Sequence, residues 1–104
     1  MAKKPLNQEL LFFGLRLRDV RIQFGLTLEQ LAGMLEIGPA HLSNLESGRR
    51  DPSFDLLVVI GRRLNVSLDY LVLGCPDIRR ASTLILRSDE ELLAAMTPQK
   101  AKRG

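Results

Sequence analysis

GLTLEQLAGMLEIGPAHLSNLESGRR, residues 25–50, is the stretch whose reading decides the fold of this chain. Thr27 offers a hydroxyl that can cap a new helix, and Gln30 stands three positions on to complete a capping box, which predicts a short helix from about Leu28 to Leu35. Gly38 followed by Pro39 announces the next helix, because proline suits the first helical position, where its missing N–H is not needed. Leu42 and Leu45 give that helix one apolar side, and Ser47 with Gly48 ends it. Two short helices joined by three or four residues, with small Ala32 on the first and a polar outer face on the second, meet the requirement for close packing at a steep angle. A larger side chain at position 32 would push them apart.

Working outward, Leu10, Phe13, Leu17, Val20 and Phe24 recur at three- and four-residue steps with polar residues mostly between them, which predicts an amphipathic helix closed by Gly25 as a left-handed cap. Downstream, Arg49, Arg50, Asp51 and Pro52 make a polar loop. Ser53 then caps a helix carrying Phe54, Leu57, Val58, Ile60 and Leu64, which Asn65 closes. Ser67 caps a last short helix through Leu68, Leu71 and Leu73, and Gly74 with Pro76 stops the compact unit. Beyond it, Thr83 to Leu86 fits a brief strand or a brief helix equally, Ser88 with Glu91 resembles a capping box before Leu92, Leu93 and Met96, and the residues from Thr97 onward have too little apolar content to bury. The expectation is an all-α chain in two parts. Residues 1–74 form a compact five-helix domain, and 75–104 form an extension with a dimerisation segment and a disordered tail.

Composition agrees with helices: Trp is absent, aromatic residues make up 5% of the chain, and leucine dominates the apolar set. The single cysteine, Cys75, has no partner for a disulfide or a metal site, and reads as a small hydrophobe at a helix end. The apolar run Leu10 to Phe13 is too short for a signal or a membrane span, so the expected location is the cytoplasm, on the nucleoid when DNA is bound. Net charge is +3. Residues 14–74 nonetheless hold seven basic residues (Arg16, Arg18, Arg21, Arg49, Arg50, Arg62, Arg63) against seven acidic ones, so the excess sits in the tails. No paired carboxylates, Ser/His/Asp or Cys/His set, or phosphate-binding glycine loop is present, which argues against an enzyme and against a cofactor or metal.

The order and spacing of these pieces, above all Gly25-Leu26-Thr27, Leu31-Ala32 and the run Leu42 to Arg49, resemble the lambda-repressor-like, Xre-type helix-turn-helix family over about 58 residues. The resemblance implies a third helix lying in the DNA major groove and presenting Pro39, Ala40, His41, Ser43 and Asn44. Asn44 is the sharpest candidate reader, since a carboxamide can pair with adenine for roughly 1–3 kcal/mol of discrimination. Arg49 and Arg50 are placed to grip phosphates, as are the free N–H groups where the second helix starts, at Thr27 and Leu28. Arg16 and Glu46 would form a partly buried structural ion pair between the first and third helices.

Three positions depart from the family pattern. Leu28 stands where a phosphate-gripping Gln is common. Glu36 occupies a turn usually given to Gly because its backbone is left-handed, at a cost of about 1 kcal/mol unless Gly38 shifts the turn. Pro39 and Ala40 can touch a thymine methyl but cannot hydrogen-bond a base edge. The implied function is a sequence-specific transcriptional regulator, a repressor in its leading form, bound to double-stranded DNA as a homodimer. The apolar residues Ile78, Leu84, Ile85, Leu86, Leu92, Leu93 and Met96 would supply the dimer contact. The competing reading is an antitoxin-like interaction module whose residues 75–104 wrap a protein partner.

Overall fold

Helix starts coincide with residues able to satisfy a first turn. In the computed structural model, which describes residues 6–75 and 87–96, the chain forms α1 (Leu6–Gln23), α2 (Leu28–Leu35), α3 (Pro39–Glu46), α4 (Phe54–Leu64), α5 (Leu68–Leu73) and α6 (Asp89–Met96). All regular structure among the described residues is helical. The Thr27 hydroxyl accepts the Gln30 N–H at 3.0 Å while Gln30 Oε1 accepts the Thr27 N–H at 2.9 Å, the reciprocal box its sequence predicts. Ser53 and Ser67 cap α4 and α5 in a simpler, one-sided way, accepting the N–H groups of Leu56 and Tyr70. The Ser88–Glu91 box is also present, so α6 is a sixth helix, lying in the expected extension.

The apolar stripes meet in one core in which Leu17, Val20, Leu31, Leu42, Leu45, Ile60, Tyr70 and Leu71 are fully enclosed and small Ala32 of α2 is buried with them. Each such leucine contributes roughly 1.5–3 kcal/mol relative to exposure. Phe24 departs from expectation: α1 ends at Gln23, and the ring beyond it is exposed. Cys75 is exposed too, rather than buried as a small hydrophobe. Gly14 lets α1 lie directly on the end of α3, where a Cβ would stand 2.5 Å from the Leu45 carbonyl oxygen. Glu36 does adopt the left-handed conformation, at φ 62°, and Gly38 stays extended and does not relieve it.

The expected Arg16–Glu46 pair is corrected by the structure. Glu46 pairs instead with Arg21, whose Nε and Nη2 donate to its two carboxylate oxygens at 2.7 and 3.0 Å. The reason is helical phase. At about 100° per residue, Arg21 lies within about 20° of Gly14, the point where α1 touches α3, whereas Arg16 lies about 160° away. Arg16 is buried on the other side of α1, donating to the Leu71 carbonyl at 3.1 Å and to Asp89 Oδ1 at 2.7 Å. It therefore links α1 to the end of α5, where a cation is favoured by the helix dipole, and to the start of α6.

Further contacts fasten α6. Arg87 Nε donates to Asp19 at 3.1 Å, and the Tyr70 hydroxyl donates to the Arg87 carbonyl at 3.1 Å. Burial, and then the nearby Asp19 carboxylate, push the Tyr70 phenol above its ordinary value of 10.0. Leu92, expected to serve a dimer or a partner, is instead buried beside Leu15 and Ile22 of the same chain. The expectations for Ile78, Leu84, Ile85 and Leu86, for strand or helix over Thr83 to Leu86, and for the tail from Thr97 lie outside the described residues.

Candidate nucleic-acid interface

The eight residues of α3 divide cleanly by burial. Leu42, Leu45 and Glu46 face inward, Pro39, Ala40 and Ser43 are exposed, and His41 and Asn44 are half-buried. Pro39 with Ser43, and Ala40 with Asn44, are four residues apart and so share one outward surface. The structure thus brings five of the expected reading positions to a single helix whose opposite side is locked into the core.

The turn after α3 is held as tightly. The Asn44 carbonyl accepts both the Arg49 N–H at 2.9 Å and the Ser47 hydroxyl at 3.2 Å. Gly48 sits at φ 80°, and a Cβ there would come within 2.9 Å of the Leu11 Cα, so the turn is pressed against α1. Arg49 and Arg50 project, exposed, from this fixed turn, and among the described residues their side chains have no internal partner. Among the described residues nothing occupies their guanidinium groups, and bidentate phosphate contact is the geometry that guanidinium favours.

At the start of α2, the half-buried Leu28 side chain packs on the core, and its N–H lies ahead of the first intrahelical bond, from the Leu31 N–H to the Thr27 carbonyl. Glu29 is exposed in the same turn, and its charge opposes a phosphate there. Of these two places, only the Arg49–Arg50 turn presents exposed cationic side chains.

Three arginines, two of them with definite structural contacts, escaped the sequence reading. Arg21 fastens α3 through Glu46, and its signal was its seven-residue separation from Gly14. Arg63 donates to the Met34 carbonyl at 2.8 Å, closing the end of α2 beside the strained Glu36. Arg18 is exposed on α1 and lines a groove with Ser43 and Ser47. Among the described residues no cluster of three or more His, Cys, Asp or Glu residues can hold a metal, and no helix is long and apolar enough to cross a membrane.

Comparison with known proteins meets the same region. A helix-turn-helix family model matches residues 17–71. The HTH-type transcriptional regulator ImmR of Bacillus subtilis is 42% identical over 59 residues, 57% of this chain and 46% of that protein. The HTH-type transcriptional regulator DdrOP3 of Deinococcus deserti is 36% identical over 59 residues, again 57% of this chain and 46% of its own. The match thus spans about half the length of these curated relatives. Among solved structures, the clp gene regulator ClgR from C. glutamicum superposes with a TM-score of 0.59 at 33% identity, over 70% of this chain and 91% of that one. The restriction-modification controller protein C.AhdI from Aeromonas hydrophila gives a TM-score of 0.58 at 28% identity, over 62% and 97%.

Proposed function

Because the chain belongs to the helix-turn-helix family, we propose that it is a sequence-specific transcriptional regulator, acting as a repressor, that lays α3 in the DNA major groove. The observation that carries this reading is the pairing of α3's outward surface with the Arg49–Arg50 turn. Asn44, on that surface, reads a base edge, while the two arginines beside it hold the phosphate backbone and set the register. Pro39 and Ala40 contribute shape and thymine-methyl contact. His41 and Ser43 flank them as hydrogen-bonding groups, and the first-turn N–H of Leu28, which the Thr27 hydroxyl leaves uncapped in accepting from Gln30, adds one phosphate contact.

One module of this size covers roughly 600–1,000 Å² on DNA, so two half-sites and a homodimer fit the function better than one. With Leu92 used internally, the surface assigned to the second copy is the largely apolar groove of Leu10, Phe13, Pro52, Leu57, Val72 and Leu73, which Glu9 also lines. It adjoins the Arg49–Arg50 turn through Pro52, and Leu73 within it and Phe54 beside Pro52 in the chain are 65% and 77% exposed. Sedimentation equilibrium of Leu73→Glu then shows monomer where the parent shows dimer.

The test of the site compares the parent with three single variants on several duplexes. Arg49→Ala and Arg50→Ala each weaken binding to all duplexes alike and lower the salt slope by about 1, whereas Asn44→Ala alters the order of preference among sequences. Equal binding by the parent and all three variants refutes the assignment.

A further inference from the structure

The arginines of α1 meet different fates. Arg16 is held by Asp89 at 2.7 Å and Arg21 by Glu46 at 2.7 Å. Arg18 is exposed and, among the described residues, has no carboxylate partner. The two carboxylates that share its grooves are already engaged: Glu46 accepts from Arg21, and Asp19 accepts from Arg87 at 3.1 Å and from Gln23 at 2.8 Å. Helical phase sets where Arg18 stands. At about 100° per residue it lies about 40° from Gly14, the point where α1 touches α3, on the side away from the enclosed Leu17. It therefore sits where α1 meets the exposed flank of α3, and it lines one groove with Ser47 and with Ser43, an exposed reading position.

We propose that Arg18 binds a DNA phosphate at the flank of α3, so that α1 holds the duplex backbone as well as the turn after α3. The contact rests on α3 being the helix that reads DNA. Ser43 shares the outward surface of α3 with Pro39, so seating that surface in the major groove brings the rim of the groove toward what stands beside Ser43. What stands there is a guanidinium on a helix locked to the core, and phosphate is an anion it fits bidentately. Ala95 of α6 lines the same groove with a methyl group, which offers the guanidinium no rival partner. Spacing makes this a separate contact from the Arg49–Arg50 turn. The two helices pass in opposite senses: Gly48 presses on Leu11, the Leu45 and Glu46 carbonyls lie at Gly14, and Ser43 shares its groove with Arg18. Arg18 is thus about 10 Å farther along α1 than the anchor of the turn, close to the ~12 Å width of the major groove and well beyond the 3.4 Å advance from one phosphate to the next on a strand.

Fluorescence anisotropy compares the full chain with Arg18→Ala, and with Arg62→Ala as a control for net charge, on a preferred and an unrelated duplex between about 50 and 200 mM salt. Arg62 is exposed too, but it lines a groove of α4 and α5 that no residue of α3 enters. Loss of one phosphate contact lowers the salt slope by about 0.9, so over this range the parent loses roughly 3-fold more affinity than Arg18→Ala does, on both duplexes alike. Arg62→Ala keeps the parent's slope, and Arg18→Lys, which retains the charge, restores it. Equal slopes for the parent and Arg18→Ala, on a duplex that the parent binds, overturn the contact, and this is also the result expected if Arg18 serves an acidic protein instead. An equal fall in Arg18→Ala and Arg62→Ala overturns it as an effect of net charge alone. A parent that binds no duplex overturns the reading of α3 itself, which separates the two failures. Ethylation interference then locates the contact: one phosphate whose ethylation blocks the parent, Arg49→Ala and Arg50→Ala is tolerated by Arg18→Ala. Blocking phosphates that are identical in the parent and Arg18→Ala, or that Arg49→Ala tolerates equally, overturn the assignment.

Discussion

Glu46→Ala is the substitution that most directly probes how α3 is held. The Glu46 side chain is 6% exposed and accepts both bonds from Arg21, which is itself 13% exposed and also donates to the Leu26 carbonyl at 3.0 Å. Removing the carboxylate leaves a nearly buried guanidinium with one remaining partner. A dry pair broken in this way costs about 3–5 kcal/mol, and the retained carbonyl bond and slight exposure lower the expectation here to about 2–4 kcal/mol. For a domain of this size that loss reduces Tm by roughly 10–25 °C. Circular-dichroism melts and urea titrations read it, and because the pair is shielded from solvent the loss persists at 1 M salt. Arg21→Met combined with Glu46→Leu removes both charges and recovers most of the stability. A loss within about 1 kcal/mol for Glu46→Ala, the range of an exposed pair, refutes the reasoning, as does a double variant no better than the single.

The backbone and Tyr70 give three further outcomes. Glu36→Gly relieves a left-handed residue at φ 62° and gives up only an exposed 3.6 Å contact with Arg63, so it raises Tm by about 2–6 °C in a thermal melt; a lower Tm contradicts this. Gly14→Ala sets a Cβ against backbone, 2.5 Å from the Leu45 carbonyl oxygen and 2.7 Å from the Glu46 carbonyl carbon, and destabilises by about 3 kcal/mol or more in urea; a loss under about 1 kcal/mol means that α1 does not lie so close to α3. Tyr70 is the single tyrosine, so ultraviolet absorbance on alkaline titration follows it alone, with a midpoint above 10.0. Because the folded value is raised, the unfolded chain ionises first, and this contribution to stability is lost as pH climbs from about 10 through the folded value. A midpoint at or below 10.0 contradicts the burial of the phenol.

Local chemistry was legible in the sequence because it acts over three or four residues. The Thr27–Gln30 box, Pro39 at the head of α3, the serine caps and small Ala32 each appear where their spacing predicts them. Glu36 was legible as a strained position only through the family resemblance, which left open that Gly38 shifts the turn, and the structure keeps the left-handed residue at Glu36. Contacts between distant parts of the chain were not legible. Arg16 and Arg21 are both arginines on one amphipathic helix, and only the crossing of α1 over α3 at Gly14 shows which of them reaches Glu46. The Ser88–Glu91 box gave the start of α6, but nothing near it showed that Asp89 meets an arginine 73 residues earlier. For the same reason Leu92 looked like spare apolar surface until its position beside Leu15 was known. Of the expected readers, the outward face of α3 follows from Leu42 and Leu45 pointing inward. The reduced part of Leu28 follows from a fact invisible in sequence, the packing of its side chain against the core.

The most direct test of α3 as a DNA reader is selection of bound duplexes from a random pool at near-physiological salt, run in parallel on the parent and on Asn44→Ala. The account predicts that the parent recovers a palindrome with half-sites about 10 base pairs apart, and that Asn44→Ala changes the base preferred at matching positions in both halves. Recovery of no motif by the parent, or of the same motif by both proteins, contradicts it.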